Sequence, residues 1–146
     1  MSVRPLYQIN NATYKEGLYR NASATPKYSV ALGYSGDNQT QLVAPTSDDP
    51  HIYKDFLDDD HDGLMNHMCL TVENMDEFQR SIDTIKFETL AQLALEPAGH
   101  VLNLRGAGQQ YPLIEVGEFP PAIYELFNRI KSAAEGWDGR DLIRSI

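Results

Sequence analysis

The chain is predicted to be an α+β protein, and three observations carry that prediction. Short runs rich in β-formers and bounded by turn residues outnumber the helical stretches. Two segments, one central and one near the end, repeat apolar residues at helical spacing. The strands also fall into two groups, of which only the second is preceded by a strand and a helix, so a duplicated unit with one incomplete copy is expected.

PLYQIN (5–10) reads as the opening strand, followed by a polar loop with Gly17 and Asn21. KYSVALGY (27–34) and QTQLVA (39–44) flank the turn residues SGDN and form a predicted hairpin. Alternation puts Gln39, Gln41 and Val43 on one face, and Thr40, Leu42 and Ala44 on the other. DPHIYKDFL (49–57) suits a short helix with Pro50 in its first turn.

The next stretch, DDDHDGLMNH (58–67), opens like a calcium loop, with Asp58, Asp60 and Asp62 at alternate positions and then Gly63. Such a loop needs an acid at its twelfth position, where Cys69 stands, and an emerging helix, where HMCLTV (67–72) reads as a buried strand. The stretch is therefore read as an acidic, solvated turn.

ENMDEFQRSIDTI (73–85) is the clearest helix, with Asn74 as cap, Glu77 in capping-box position and Met75, Phe78, Ile82 and Ile85 as its apolar stripe. Strands follow around 87–95, in HVLNLRG (100–106) and in YPLIEVG (111–117). Pro120–Pro121 open a last helix, with Ile123, Phe127, Ile130 and Ala134 on one side and Gly136 after its end.

Its 146 residues suit one domain, and a net charge of −9 argues against nucleic acid or an anionic membrane surface as partner. Seven of the 21 acids fall in 48–62. No apolar run is long enough to cross a bilayer, no secretory leader is evident, and Cys69 is the only cysteine. A cytoplasmic location is the expectation.

Among the candidate site residues, His67 shares a strand face with Cys69 and Thr71, and Glu115 shares one with Leu113 and Gly117. A carboxylate inside LIEV is costly to bury unless paired, and beside a histidine it would be a general base; the alternative is a solvated strand face. Asn103 and Arg105 could bind a polar part of a substrate, or Arg105 could sit in an external salt bridge. His51, His61 and His100 are expected at the surface. Nothing near Cys69 in the sequence lowers its thiol pKa, which argues against a nucleophile.

QLVAP (41–45), YKDFL (53–57), GLMNH (63–67), ENMDEF (73–78) and YPLIEV (111–116), over roughly residues 5–141, together resemble the vicinal oxygen chelate superfamily. The likeness is to its glyoxalase-like branch near methylmalonyl-CoA epimerase. That resemblance implies paired βαβββ modules forming a half-open curved sheet. Here residues 1–45 would be an incomplete first module lacking its first strand and helix. Residues 46–66 would be a linker with a short helix, 67–117 the second module, and 118–146 a C-terminal helix and tail.

The resemblance implies a small-molecule lyase or isomerase that abstracts a proton beside a carbonyl. Carried over, its site residues are His67 and Glu115, with Gln41 where the family usually has Glu, and Gln39, Gln41, Asn103 and Arg105 around the substrate. It also implies a divalent metal on His67, Glu115 and Gln41, and no organic cofactor. Two strong donors and one neutral amide fall short of the three protein ligands plus water of a catalytic zinc. The alternative is a non-catalytic protein binding an apolar small molecule in the same cavity. The missing strand and helix would leave an edge and apolar faces bare, so a homodimer is expected.

Overall fold

The computed structural model describes residues 3–55, 65–96, 98–109 and 112–146. In chain order its elements are β1 (Leu6–Ala12), β2 (Glu16–Tyr19), β3 (Ala22–Ser23), β4 (Tyr28–Ser35), β5 (Asn38–Pro45), β6 (His67–Thr71), α1 (Met75–Ser81), β7 (Phe87–Ala94), β8 (His100–Gly106), β9 (Leu113–Glu118), α2 (Pro121–Glu135) and β10 (Ile143–Ser145). This is an α+β chain, rich in strands. It divides into two compact units, one of residues 1–12, 27–47 and 121–146, the other of 13–26 and 48–120. The division cuts across the blocks expected from the sequence, because 13–26 joins the second unit and the C-terminal helix and tail join the first.

The first unit is a four-stranded sheet in the order β10-β1-β4-β5, with α2 on one face. β4 and β5 form the expected hairpin, closed by Gly36 and Asp37; Gly36 takes φ 61, which a tight hairpin turn asks of its first residue. Leu32 and Tyr34 pack with Ile130, which is fully buried, and Tyr7, Ile9, Leu126, Phe127 and Ala134 fill in around them. Pro121 begins α2, and the Gly136 N–H bonds the Ser132 carbonyl at its end. The C-terminal tail adds β10 parallel to β1.

The second unit is a six-stranded sheet in the order β3-β2-β7-β8-β9-β6. Two of its strands occupy the segment read as a polar loop: β2 and β3 make a hairpin whose two turn residues, Arg20 and Asn21, take φ 49 and 64. β6, α1, β7, β8 and β9 follow one another in strand–helix–three-strand order, with β6 returning parallel to β9. Met75 of α1 packs on Leu102, Leu104 and Val116, with Val72, Phe78, Ile82 and Ile114 around them. That core lies on one face of the sheet only.

α1 is capped as expected, Asn74 Oδ1 accepting from the Glu77 N–H at 2.8 Å; in addition, Glu118 accepts from the Met75 N–H at 2.8 Å. The helix is shorter than predicted. Ile82 turns extended, and Asp83 then gathers the chain, its carbonyl accepting from the Lys86 and Phe87 N–H groups and its carboxylate from that of Ile85. Ile85 is left 88% exposed, off the stripe it was assigned to. The apolar run HMCLTV forms a strand as expected but not a buried one: β6 is an edge, with Met68 and Leu70 each more than half exposed. In the predicted short helix, residues 52–55 form turns and 56–57 lie outside the described residues, as do positions 58–64 of the acidic stretch, His61 among them.

Ile130→Ala should cost about 2–5 kcal/mol of unfolding free energy, the range for emptying a filled core position. Ile85→Ala should stay within about 0.5 kcal/mol of the parent. Urea denaturation followed by circular dichroism measures both.

Candidate functional site

The α1 side of the second sheet takes Leu102, Leu104, Ile114 and Val116, so alternation sends their neighbours to the opposite face. On that helix-free face the register aligns Tyr19, Ala91, Asn103, Glu115 and Cys69 in one row across β2, β7, β8, β9 and β6. His67 stands two residues before Cys69, on the same side of β6. The row is polar at four of its five positions.

Glu115 is the centre of the cluster. Its Oε2 lies 3.8 Å from His67 Nε2, with the two side chains only 12% and 9% exposed. The Asn103 amide, on a residue 1% exposed, donates to the same oxygen at 3.3 Å. On the far side of the imidazole, His67 Nδ1 is 3.2 Å from Asn66 Oδ1. With Nδ1–H donating to Asn66, Nε2 is the nitrogen left facing the carboxylate, where it can take up or release a proton. Among the described residues, no buried side-chain nitrogen or oxygen lacks a partner. The arrangement is a satisfied buried network, which is what makes it affordable in a low-dielectric place.

Cys69 faces Glu115 across the parallel pair β6–β9. The residue as a whole is exposed, yet desolvation at its sulfur, followed by the neighbouring Glu115 carboxylate, pushes the thiol up to about 12. It is held as a thiol, consistent with the sequence argument against a nucleophile.

Arg105 is engaged by Glu88 in a surface ion pair, Nε to Oε2 at 3.1 Å, the external alternative weighed for it. Gln39 and Gln41 lie on β5, in the first unit. Gln39 donates to the Tyr34 hydroxyl at 3.0 Å and Gln41 stands opposite Leu32, so both sit on the face that α2 packs against, and both are exposed.

Among the described residues, no group of three or more His, Cys, Asp and Glu side chains is placed to hold an ion. Glu115 Oε2 is already engaged by the Asn103 amide.

Three residues of the 51–55 segment went unrecognised in the sequence. His51, expected at the surface, is 4% exposed, and its Nδ1 accepts from the Lys54 N–H at 3.0 Å. Burial first, and the Lys54 charge second, lower its pKa, so it is held neutral. Tyr53 lies between the two histidines, its ring centroid 6.0 Å from His51 and 6.1 Å from His67. Asp55 accepts from the Tyr19 hydroxyl and, at 2.7 Å, from Arg20. The only sequence signal was Ile52–Tyr53, an apolar pair inside an acidic stretch.

Because the Cys69 pKa is raised above its unfolded value near 9, the folded state keeps this proton while the unfolded state loses it. The resulting stability is complete below about pH 9 and is lost as pH rises toward 12. Cys69→Ala should flatten the alkaline fall of the denaturation midpoint relative to the parent. At pH 8, iodoacetamide should label the native thiol about tenfold or more slowly than the urea-unfolded chain, counted by mass spectrometry.

No family model matches this chain, and no curated protein matches it.

Proposed function

We propose that the second unit is the acid–base site of a small-molecule lyase or isomerase, in which Glu115 abstracts a proton beside a carbonyl. The carrying observation is the nearly buried His67–Glu115 pair, 3.8 Å apart on the helix-free face. A carboxylate and an imidazole at that separation can divide the work, one taking a proton from carbon while the other gives one to oxygen. The Asn103 amide holds the carboxylate in place by its bond to Oε2.

In this reading the unit is a module of the glyoxalase-like kind, and residues 1–45 are an incomplete module lacking its first strand and helix. The strand–helix–three-strand order and the parallel return of β6 beside β9 support it. Charge developing on the substrate oxygen is met by hydrogen bonds from protein groups, His67 first among them.

The test is hydrogen exchange. A panel of ketones, esters and acyl thioesters is incubated with the protein in D2O, and loss of the C–H signal beside the carbonyl is followed by NMR. At least one compound should exchange, and Glu115→Gln should slow it about a hundredfold or more, the usual worth of a positioned base. Exchange at the parent rate in Glu115→Gln sinks the proposal. A compound that raises the melting temperature with no exchange favours the second reading, a binding protein, which the buried aromatic Tyr53 beside the pair supports.

A homodimer belongs to the same reading. α2 already covers one apolar sheet face, and the exposed Met68 and Leu70 on edge strand β6 are what a second copy would cover. Sedimentation equilibrium should give twice the chain mass, and Leu70→Glu should shift it toward the monomer; a parent at the monomer mass at tens of micromolar refutes this.

A further inference from the structure

We propose that Tyr53 is a positioning residue for the His67–Glu115 pair, held in place by a clasp of Tyr19, Arg20 and Asp55. The inference rests on the acid–base reading only in giving His67 a function to serve; the packing stands by itself.

Residues 51–53 are 4%, 3% and 9% exposed, although they form no regular element. A connection is ordinarily at the surface, since its backbone polar groups need water. Here the segment solves part of that problem internally. The Lys54 N–H bonds both the His51 carbonyl, at 3.2 Å, and His51 Nδ1, at 3.0 Å, which locks the turn. Tyr53 is thereby set against His67, ring planes tilted by 52°.

What keeps the segment down is at the other end of the same row, on β2 and the turn that follows it. The Asp55 carboxylate accepts from the Tyr19 hydroxyl and from Arg20 Nη2 at 2.7 Å, and Arg20 Nε donates to the Tyr19 oxygen at 3.2 Å. The guanidinium carbon also stands 5.6 Å over the Tyr19 ring. Three groups thus bind one another pairwise.

The backbone supplies an independent indication. Arg20 and Asn21 form the β2–β3 turn with both φ values positive, a conformation that prefers Asn-Gly. An arginine there sits in the left-handed region, which disfavours a residue with a Cβ. Its side chain is bound to Asp55 and Tyr19.

Geometry then explains the effect on the site. Asn66 holds His67 at Nδ1, 3.2 Å away, but one hydrogen bond leaves the ring free to rotate about that contact. The Tyr53 ring removes that freedom and keeps Nε2 toward Glu115. Its role is to orient, not to react.

The decisive variant is Arg20→Asn, because asparagine accepts the left-handed turn while removing the contacts of the arginine with both Tyr19 and Asp55; Asp55→Ala removes the carboxylate that both other groups bind. Both should leave the melting temperature close to the parent. In both, the His67 imidazole resonances should shift, and diethyl pyrocarbonate should modify His67 about fivefold faster relative to the exposed His100, the factor that corresponds to ~1 kcal/mol. Tyr53→Phe should keep the parent values, since it keeps the ring. Parent-like His67 signals and rates in both clasp variants overturn the proposal, as does a Tyr53→Phe protein with His67 exposed. If the clasp variants expose His67 while the parent shows no exchange with any carbonyl compound, the acid–base function fails and the clasp survives. Glu115-dependent exchange with parent-like clasp variants means the reverse.

Discussion

Parallel pairing of β6 with β9 is the constraint on which the candidate site depends. It sets Cys69 opposite Glu115 and puts His67 on the same side of β6, two residues before. A slip of one residue would turn His67 and Cys69 to the α1 face and bring Met68 and Leu70 beside the carboxylate. The antiparallel partner β8 matters equally, because it delivers Asn103 to the other flank of Glu115. The carboxylate is therefore held between two strands that enter from opposite sides, with all three side chains on one face.

α1 makes that register worth keeping. By packing Met75 on Leu102, Leu104 and Val116, it commits one face of the sheet to apolar burial and leaves the alternate positions for polar groups. Helix and site are thus two consequences of one alternation. Capping couples them again: Glu118, three residues beyond Glu115 on β9, accepts from the first N–H of α1. The strand that carries the proposed base also anchors the helix.

The polar face stays folded because its groups answer one another. Glu115 receives an amide and faces an imidazole, His51 takes a backbone N–H, and Asp55 takes a phenol and a guanidinium. Removing a partner of Glu115 or His51 would strand a buried group, so the cost of single substitutions there should exceed the net worth of any one bond. Tyr19 shows the same coupling in its titration: burial, and then the bond to Asp55, raise its phenol above the ordinary range, which preserves the donor.

Some of this was legible from residue order. Asn74 as cap, Pro121 as first helical residue and Gly36 in the hairpin turn depend on local backbone chemistry, and they stand where that chemistry put them. The side of the strand taken by His67, Cys69 and Glu115 follows from a period of two and needs no partner. What the tertiary structure decided was everything set by distant neighbours. HMCLT became an exposed edge because the sheet ends there; Arg20 and Asp55, 35 positions apart, found each other through the placement of β2; and His51–Ile52–Tyr53 went inside because Tyr53 packs against an imidazole on another strand. Periodicity is a property of a short segment, so sequence suffices for it. Strand order and the burial of a connection are properties of long-range pairing, in which a single chain offers many near-equivalent partners and only the assembled packing selects among them.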